Sequence, residues 1–223
     1  MREVDRLAVE DFGIGILQMM ENAGRNLAMM AMDMLSSADS HITILAGSGG
    51  NGGGGICCAR HLLNRGYKVK LVLSKDRSEL RGAVIKQLNI ILQTGFQVTP
   101  FSELEASCAS TELIIDAIIG YSLSGNPAGK PLEMIQACNH QSAPKLSLDI
   151  PSGIDATTGN ALGEFVKANH TLTLALPKQG LTHPDVGELF LGDLGIPPRL
   201  YQGIDIQLDN FFGGNFIIPL NVN

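Results

Sequence analysis

The sequence lacks most of the features that mark nucleic-acid-binding, membrane and secreted proteins. It has no Trp, and its 16 Lys and Arg are outnumbered by 22 Asp and Glu, which gives a formal net charge of −6. That charge disfavours a surface that binds nucleic acid by neutralising phosphates. No apolar run reaches the roughly 18 residues of a membrane span, and residues 1–6 are charged where a signal peptide would be apolar. We therefore expect a soluble, cytoplasmic protein with a small-molecule partner.

Several catalytic and cofactor motifs are also missing. The four cysteines have no CxxC spacing, and no Cys/His group has the spacing of a zinc site. Buried thiols in a reducing compartment fit this pattern, and a transition-metal site does not. There is no GxSxG elbow and no GK[ST] after the glycine-rich segment, which disfavours a serine hydrolase and a P-loop nucleoside triphosphatase.

Helical and strand-like apolar patterns alternate along the chain. We take this alternation, together with continuous apolar runs typical of buried parallel strands, to indicate an α/β protein. The predicted fold is a Rossmann-like three-layer sandwich with a mostly parallel central sheet, as one domain over 1–223 with a tail from about residue 195. Helices are predicted at about 17–35 and 80–92, and strands at 42–46, 67–72, near 98, 113–119, 145–150, 170–176 and 188–191.

A glycine-rich segment, residues 47–55, follows the first predicted strand and contains seven glycines. We predict a loop there, before a helix that runs through Cys58 and Leu62. Glycine lets backbone N–H groups approach a phosphate, and the N-terminus of the next helix favours an anion. A tight connection that binds no ligand is the alternative interpretation.

Two acidic residues lie in or directly after buried strands. Asp116 interrupts an apolar run, and Asp149 ends a strand before a Pro-Ser-Gly turn. Because ligands of open α/β sheets bind at the carboxyl ends of the strands, both acids and the glycine-rich segment are predicted to meet at one pocket. Asp116 would either accept hydrogen bonds from a loop or face a cation or polar ligand. Asp155 is interpreted as a turn or cap residue, and Asn22 as packing in the core or reaching the ligand.

Four segments, taken in order, resemble a known family. They are ENAGR at 21–25, the glycine-rich segment before ARHL at 59–62, DAIIG at 116–120 and DIPSGID at 149–155. They are similar to the YjeF N-terminal domain, the NAD(P)H-hydrate epimerase family, up to about Leu191. The resemblance implies a homodimer that interconverts the R and S epimers of hydrated NADH and NADPH (NADHX and NADPHX) at C6 of the nicotinamide. A separate NAD(P)H-hydrate dehydratase would then restore the cofactor.

The resemblance also implies the residues of the site. A potassium ion would be held by Asn51, Asp116 and Ser152, whose oxygens suit a hard cation. Asp149 would be the catalytic residue, acting as acid and base if burial raises its pKa. The substrate contacts would be Gly50, Asn51, Gly52, Gly53, Gly54, Gly120, Tyr121, Ser122, Leu123, Ser124, Gly125, Asn126 and Asp149.

The chain departs from the family's GNNGGDG loop at two positions, where Gly50 and Gly54 replace the first Asn and the Asp. This leaves open a catalytically inactive nucleotide-binding or protein-interaction module of the same fold. Retention of Asp116, Asp149 and Ser152 favours the enzyme. A third interpretation, an NAD(P)-dependent dehydrogenase, would need an acid after the second strand to hold a ribose, and Asp76 lies near that place.

Overall fold

The central element of the fold is a seven-stranded sheet. The computed structural model describes residues 1–208 and 211–221. Within them the strand order is β2-β1-β3-β4-β5-β6-β7, and all neighbours pair in parallel except β6 and β7, which are antiparallel. The strands are β1 (His41–Ala46), β2 (Lys68–Leu73), β3 (Leu113–Ala117), β4 (Lys145–Leu148), β5 (His170–Leu174), β6 (Glu188–Gly192) and β7 (Ile217–Leu220).

Helices cover both faces of this sheet, which confirms the predicted three-layer α/β fold. One apolar cluster joins the sheet to α2, α3 and α4, and another joins its opposite face to α5 and α6. A third cluster holds α1 and α7 together at one side. Within the two described ranges, no helix is long and apolar enough to cross a membrane. The helices are α1 (Arg2–Glu10), α2 (Ile16–Asp33), α3 (Gly50–Leu63), α4 (Gly82–Leu92), α5 (Leu104–Ala109), α6 (Lys130–Asn139) and α7 (Pro198–Gln202).

The strand predictions are mostly confirmed, with differences at the strand ends. The predicted strand 145–150 stops at Leu148 because Asp149 takes a φ of 71°, which leaves the extended conformation. The predicted strand near residue 98 is a single bridge between Val72 and Thr99. The tail predicted from about residue 195 contributes α7 and the edge strand β7; residues 209, 210, 222 and 223 of that tail lie outside the described part.

The prediction of a loop over the whole glycine-rich segment is wrong, because α3 already begins at Gly50. Glycine's low helix propensity suggested a loop, but tertiary packing overrides it here. A Cβ on Gly53 would lie 2.4 Å from the Met20 sulfur of α2, and one on Gly55 would lie 2.6 Å from the Ala117 Cβ of β3. The glycines therefore let α3 press against α2 and the sheet.

A polar cluster between α2 and α3 joins residues that sequence spacing did not connect. The Arg60 Nη2 lies 2.5 Å from the Glu21 Oε2 and 3.4 Å from the Cys57 Sγ, and the His61 Nε2 lies 2.8 Å from the Glu21 Oε1. Glu21, Cys57 and His61 are the residue types of a metal site, but the Cys57 thiol donates directly to the Glu21 Oε2 at 3.3 Å and the Arg60 guanidinium contacts both groups. We interpret the cluster as an ion-pair network. All four cysteines are buried free thiols, as predicted.

Glu21 makes the stability of the fold sensitive to acid. Burial raises the pKa of Glu21, but hydrogen bonds from Arg60, Cys57 and His61 outweigh it and lower the pKa from 4.5 to about 2. The contribution of Glu21 to the free energy of unfolding is therefore fully present above pH 4.5 and is lost as the pH falls towards 2. Because the side chain is 41% exposed, solvent screening limits the contribution to about 1 kcal/mol.

We expect Glu21→Gln to lower the free energy of unfolding at pH 7 and to flatten its decline between pH 4.5 and 2. Urea unfolding at a series of pH values measures this. Glu10→Gln on α1, where the carboxylate is 62% exposed, is the matched control. Equal pH slopes for the Glu21 variant and the wild type would contradict the assignment.

Candidate active site

A cavity of about 640 Å³ opens at the carboxyl ends of the parallel strands. Its walls come from the segments that follow β1, β2, β3 and β4, and from α1 and α2 on one side. This is where a doubly wound sheet binds its ligand. The polar or glycine residues of the lining are Asp5, Ser48, Gly49, Gly50, Asn51, Ser74, Arg81, Gly120, Tyr121, Ser122 and Asp149.

Asp149 places a carboxylate at the wall of this cavity. It is 4% exposed, and its Oδ2 accepts a hydrogen bond of 3.0 Å from the backbone N–H of Tyr121. Its Oδ1 forms an ion pair with the ammonium group of Lys178. The Lys178 ammonium and the Tyr121 N–H together hold the carboxylate at the cavity wall. Lys178 was missed by sequence reasoning, because 29 positions separate the two residues and no local pattern marks the lysine.

A hydrogen bond joins the segment after β3 to the N-terminal helix, α1. The Tyr121 hydroxyl donates a 2.5 Å hydrogen bond to the Asp5 Oδ2 of α1. Burial raises the pKa of the Tyr121 hydroxyl well above its usual range, and the hydrogen bond to Asp5 adds to this shift. The phenol therefore remains a hydrogen-bond donor at neutral pH, and α1 forms part of the site, which the sequence did not indicate.

Asp116 lies beneath the cavity rather than on its wall. The carboxylate is fully buried and accepts hydrogen bonds from the N–H groups of Ile118 and Ser152 and from the hydroxyls of Ser147 and Ser152. Burial raises the pKa of Asp116, and these bonds act against the rise. Asp116 therefore accepts the loop N–H hydrogen bond expected in one of its two interpretations, and the other, a cation beside the carboxylate, stays a prediction.

The surroundings of Asp116 fit a hard cation. The Ser152 Oγ lies 2.5 Å from the Asp116 Oδ1 and 3.1 Å from the Ile119 carbonyl oxygen, so three oxygens meet at one place. Asn51 lies beside Gly120 on the cavity wall, and its buried Nδ2 has no hydrogen-bond partner among the described residues. The structure brings Asp116 and Ser152 into contact. It places Asn51 near Gly120, in the loop that follows Asp116.

The predicted substrate-binding residues divide into three groups. Gly50, Asn51, Gly120, Tyr121, Ser122 and Asp149 line the cavity. Gly52, Gly53 and Gly54 are buried inside α3, and the segment 123–126 continues away from the lining. Contacts from these last two groups to a ligand stay predictions.

The contacts of three further residues, Asp155, Asn22 and Asp76, bear on the interpretations made from the sequence. The Asp155 Oδ1 accepts hydrogen bonds from the N–H groups of Thr157 and Thr158, which confirms its role in a turn. The Asn22 Nδ2 donates to the Leu194 carbonyl at 2.8 Å, which agrees with a packing role. Asp76, which the dehydrogenase interpretation requires, is outside the cavity lining and pairs with Lys130 at 3.3 Å.

Comparisons with known proteins agree with this fold and site. A family model described as YjeF-related protein N-terminus matches residues 16–180. An NAD(P)H-hydrate epimerase from Dehalogenimonas lykanthroporepellens is 47% identical over 204 residues, which cover 90% of this chain and 82% of that protein. A bifunctional NAD(P)H-hydrate repair enzyme Nnr from Moorella thermoacetica is 34% identical, and this chain spans 40% of its length.

A solved structure has the same fold. The crystal structure of yeast ynu0, YNL200c, matches with a TM-score of 0.81 and 24% identity, over 98% of this chain and 96% of that one. The family model covers most of this chain, including the segments that carry Asn51, Asp116, Asp149 and Ser152. The chain therefore belongs to the family of YjeF-related protein N-terminal domains.

Proposed function

We propose that this chain is an NAD(P)H-hydrate epimerase, an isomerase that interconverts the R and S epimers of hydrated NADH and NADPH. The observation that carries the proposal is the buried carboxylate of Asp149, which meets the cavity at the carboxyl end of β4 and pairs there with Lys178. Relatives that are 32% to 47% identical over most of this chain carry the name NAD(P)H-hydrate epimerase, which supports the proposal.

The reaction requires a proton donor and a proton acceptor at one place. Loss of the hydroxyl breaks the C6–O bond with its electron pair on oxygen, and a proton turns the leaving group into water. The lone pair of the ring nitrogen forms an iminium with C6, to which water adds on the opposite face and loses a proton. Asp149 accepts that proton and, once protonated, returns it to the next leaving hydroxyl, so one carboxylate serves both directions.

The size and lining of the cavity suit a dinucleotide. The volume of the whole cavity falls within the roughly 300–1,000 Å³ of small-molecule sites. The N-terminus of α3 opens into it at Gly49 and Gly50, where free N–H groups and the helix dipole favour a phosphate. We propose that the pyrophosphate binds there and that the nicotinamide reaches Asp149.

The two departures from the family loop have different structural consequences. Gly50 begins α3, and a Cβ there would meet nothing within 4 Å, so glycine is not required by packing. A Cβ on Gly54 would lie 2.7 Å from the Leu148 Cδ2, so Leu148 fills the space that the family's Asp side chain would enter. Both replacements keep the backbone of the first turn of α3, which supplies the anion-binding N–H groups.

We also propose that potassium binds at the oxygens around Asp116. Asp116, Ser152 and Asn51 would hold the ion, which would fix the segment after β3 against the cavity floor. The fully buried carboxylate of Asp116 and the Ser152 and Ile119 oxygens beside it support this. A higher melting temperature in potassium chloride than in choline chloride at equal ionic strength is expected.

The proposed partners follow from the reaction. An NAD(P)H-hydrate dehydratase would consume the S epimer, and the chain would act as a homodimer in the cytoplasm. An inactive nucleotide-binding or protein-interaction module is the second candidate, and the absence of the two polar side chains at Gly50 and Gly54 favours it.

A chromatographic time course of purified (R)-NADHX and (R)-NADPHX tests the proposal. In potassium buffer we expect the protein to accelerate the approach to the R/S equilibrium well above the spontaneous rate, with no change in redox state. If folded protein accelerates neither compound, the second candidate replaces the enzyme. Comparison of the two substrates also gives the preference between NADHX and NADPHX.

A further inference from the structure

Two neighbouring strands end in the same rare backbone turn beside the cavity. Asp149 follows β4 with a φ of 71°, and the N–H of Ile150 donates to the Leu148 carbonyl at 2.9 Å. Ala175 follows β5 with a φ of 61°, and the N–H of Leu176 donates to the Leu174 carbonyl at 2.7 Å. Such γ-turns with positive φ are strained and persist only where surrounding contacts hold them.

Lys178 connects the two turns. Its Nζ donates to the Leu174 carbonyl at 2.7 Å and to the Thr173 Oγ1 at 3.0 Å, both on the β5 side. The same Nζ forms the ion pair with the Asp149 Oδ1 on the β4 side. Lys178 is only 8% exposed, so its orientation is fixed from within the protein.

A purely structural role does not explain this arrangement. A buried ion pair is weak support for stability, because removing two charges from water costs as much as their attraction returns. An apolar pair would fill the same volume at least as well. The charged pair instead lies where the Asp149 carboxylate meets the cavity, and its other oxygen is held by the N–H of Tyr121.

We propose that Lys178 is a positioning residue for the epimerisation, which holds the Asp149 carboxylate in one orientation at the cavity wall. The inference rests on the proposed function. Without the ammonium group, the Oδ1 side of the carboxylate loses the contact that fixes it, so the side chain can turn away from the reacting carbon. The pyrophosphate would bind at the N-terminus of α3, through N–H groups that this pair does not supply, so we expect KM to change less than kcat.

The test compares Lys178→Met and Lys178→Arg with the wild type. For Lys178→Met we expect kcat to fall by about 100-fold, within the usual contribution of a proton-transfer group, while KM changes little. Lys178→Arg keeps the positive charge and should recover part of kcat, whereas its larger head group prevents full recovery.

A measurement without substrate separates this inference from the proposed function. The Tyr121 backbone N–H donates to the Asp149 Oδ2, so its amide resonance in nitrogen-15 NMR reports the orientation of the carboxylate. The resonance should move in Lys178→Met and stay near its wild-type position in Lys178→Arg. The inference is overturned if the resonance of Lys178→Met stays at the wild-type position, whatever the fall in kcat. An inactive wild type with a shifted resonance in Lys178→Met would overturn the proposed function alone.

A milder variant covers the case in which Lys178→Met does not fold. Thr173→Val removes one of the two hydrogen-bond acceptors of the Lys178 Nζ without changing the size of the side chain. It should shift the Tyr121 amide resonance and kcat in the same direction as Lys178→Met, by a smaller amount. Wild-type values for both quantities in folded Thr173→Val protein would then contradict the inference.

Discussion

Asp149→Asn is expected to reduce the rate of NADHX epimerisation by at least about 1,000-fold, to near the spontaneous rate. The amide oxygen can still accept the hydrogen bond from the Tyr121 N–H, so the side chain stays in place. It cannot take a proton from water or return one to the leaving hydroxyl. Substrate binding should change little, because the amide keeps the shape of the carboxylate.

The variant also leaves the Lys178 ammonium without its partner, so its melting temperature should fall while the fold remains. Circular dichroism and a titration of NADPHX binding establish that the folded variant still binds. Asp39→Asn, at an exposed carboxylate that precedes β1, is the matched control and should have wild-type activity. A wild-type rate in Asp149→Asn would remove Asp149 from the mechanism.

Gly52→Ala is expected to destabilise the protein by about 3 kcal/mol or more, the upper range for overpacking a core. A Cβ on Gly52 would lie 1.8 Å from the carbonyl oxygen of Gly47 and 2.5 Å from its carbonyl carbon. Both partners are backbone atoms, which cannot rotate away as a flexible side chain would. The first turn of α3 would have to move away from the end of β1, and the anion-binding N–H groups would move with it.

Gly50→Ala is the matched control, two residues earlier in the same helix. A Cβ on Gly50 has no atom within 4 Å, and alanine favours helix over glycine by about 1 kcal/mol in a helix interior. We therefore expect equal or slightly higher stability for Gly50→Ala in urea unfolding. Equal stability of the two variants would contradict the packing explanation for the glycine-rich segment.

The sequence by itself determined the fold class and the edge of the sheet that carries the site. Mostly apolar runs that end at or contain a single acid predicted β3 and β4, because parallel strands covered on both faces are largely apolar. The acids at the ends of those runs, Asp116 and Asp149, could be placed at one edge, since parallel strands align their carboxyl ends. The resemblance to the family added the reaction and the candidate ligands.

Only the tertiary structure decided how each of these residues is held. It showed that Asp116 is satisfied by four donors beneath the cavity, and that Asp149 meets Lys178 from the segment that follows β5. It also showed that most of the glycine-rich segment is helical. Glycine is required there because a side chain at Gly53 or Gly55 would collide with Met20 or with the sheet. Sequence periodicity reports the face on which a residue lies within its own element. Contacts between residues distant in the chain depend on how the elements pack, and no local pattern encodes them.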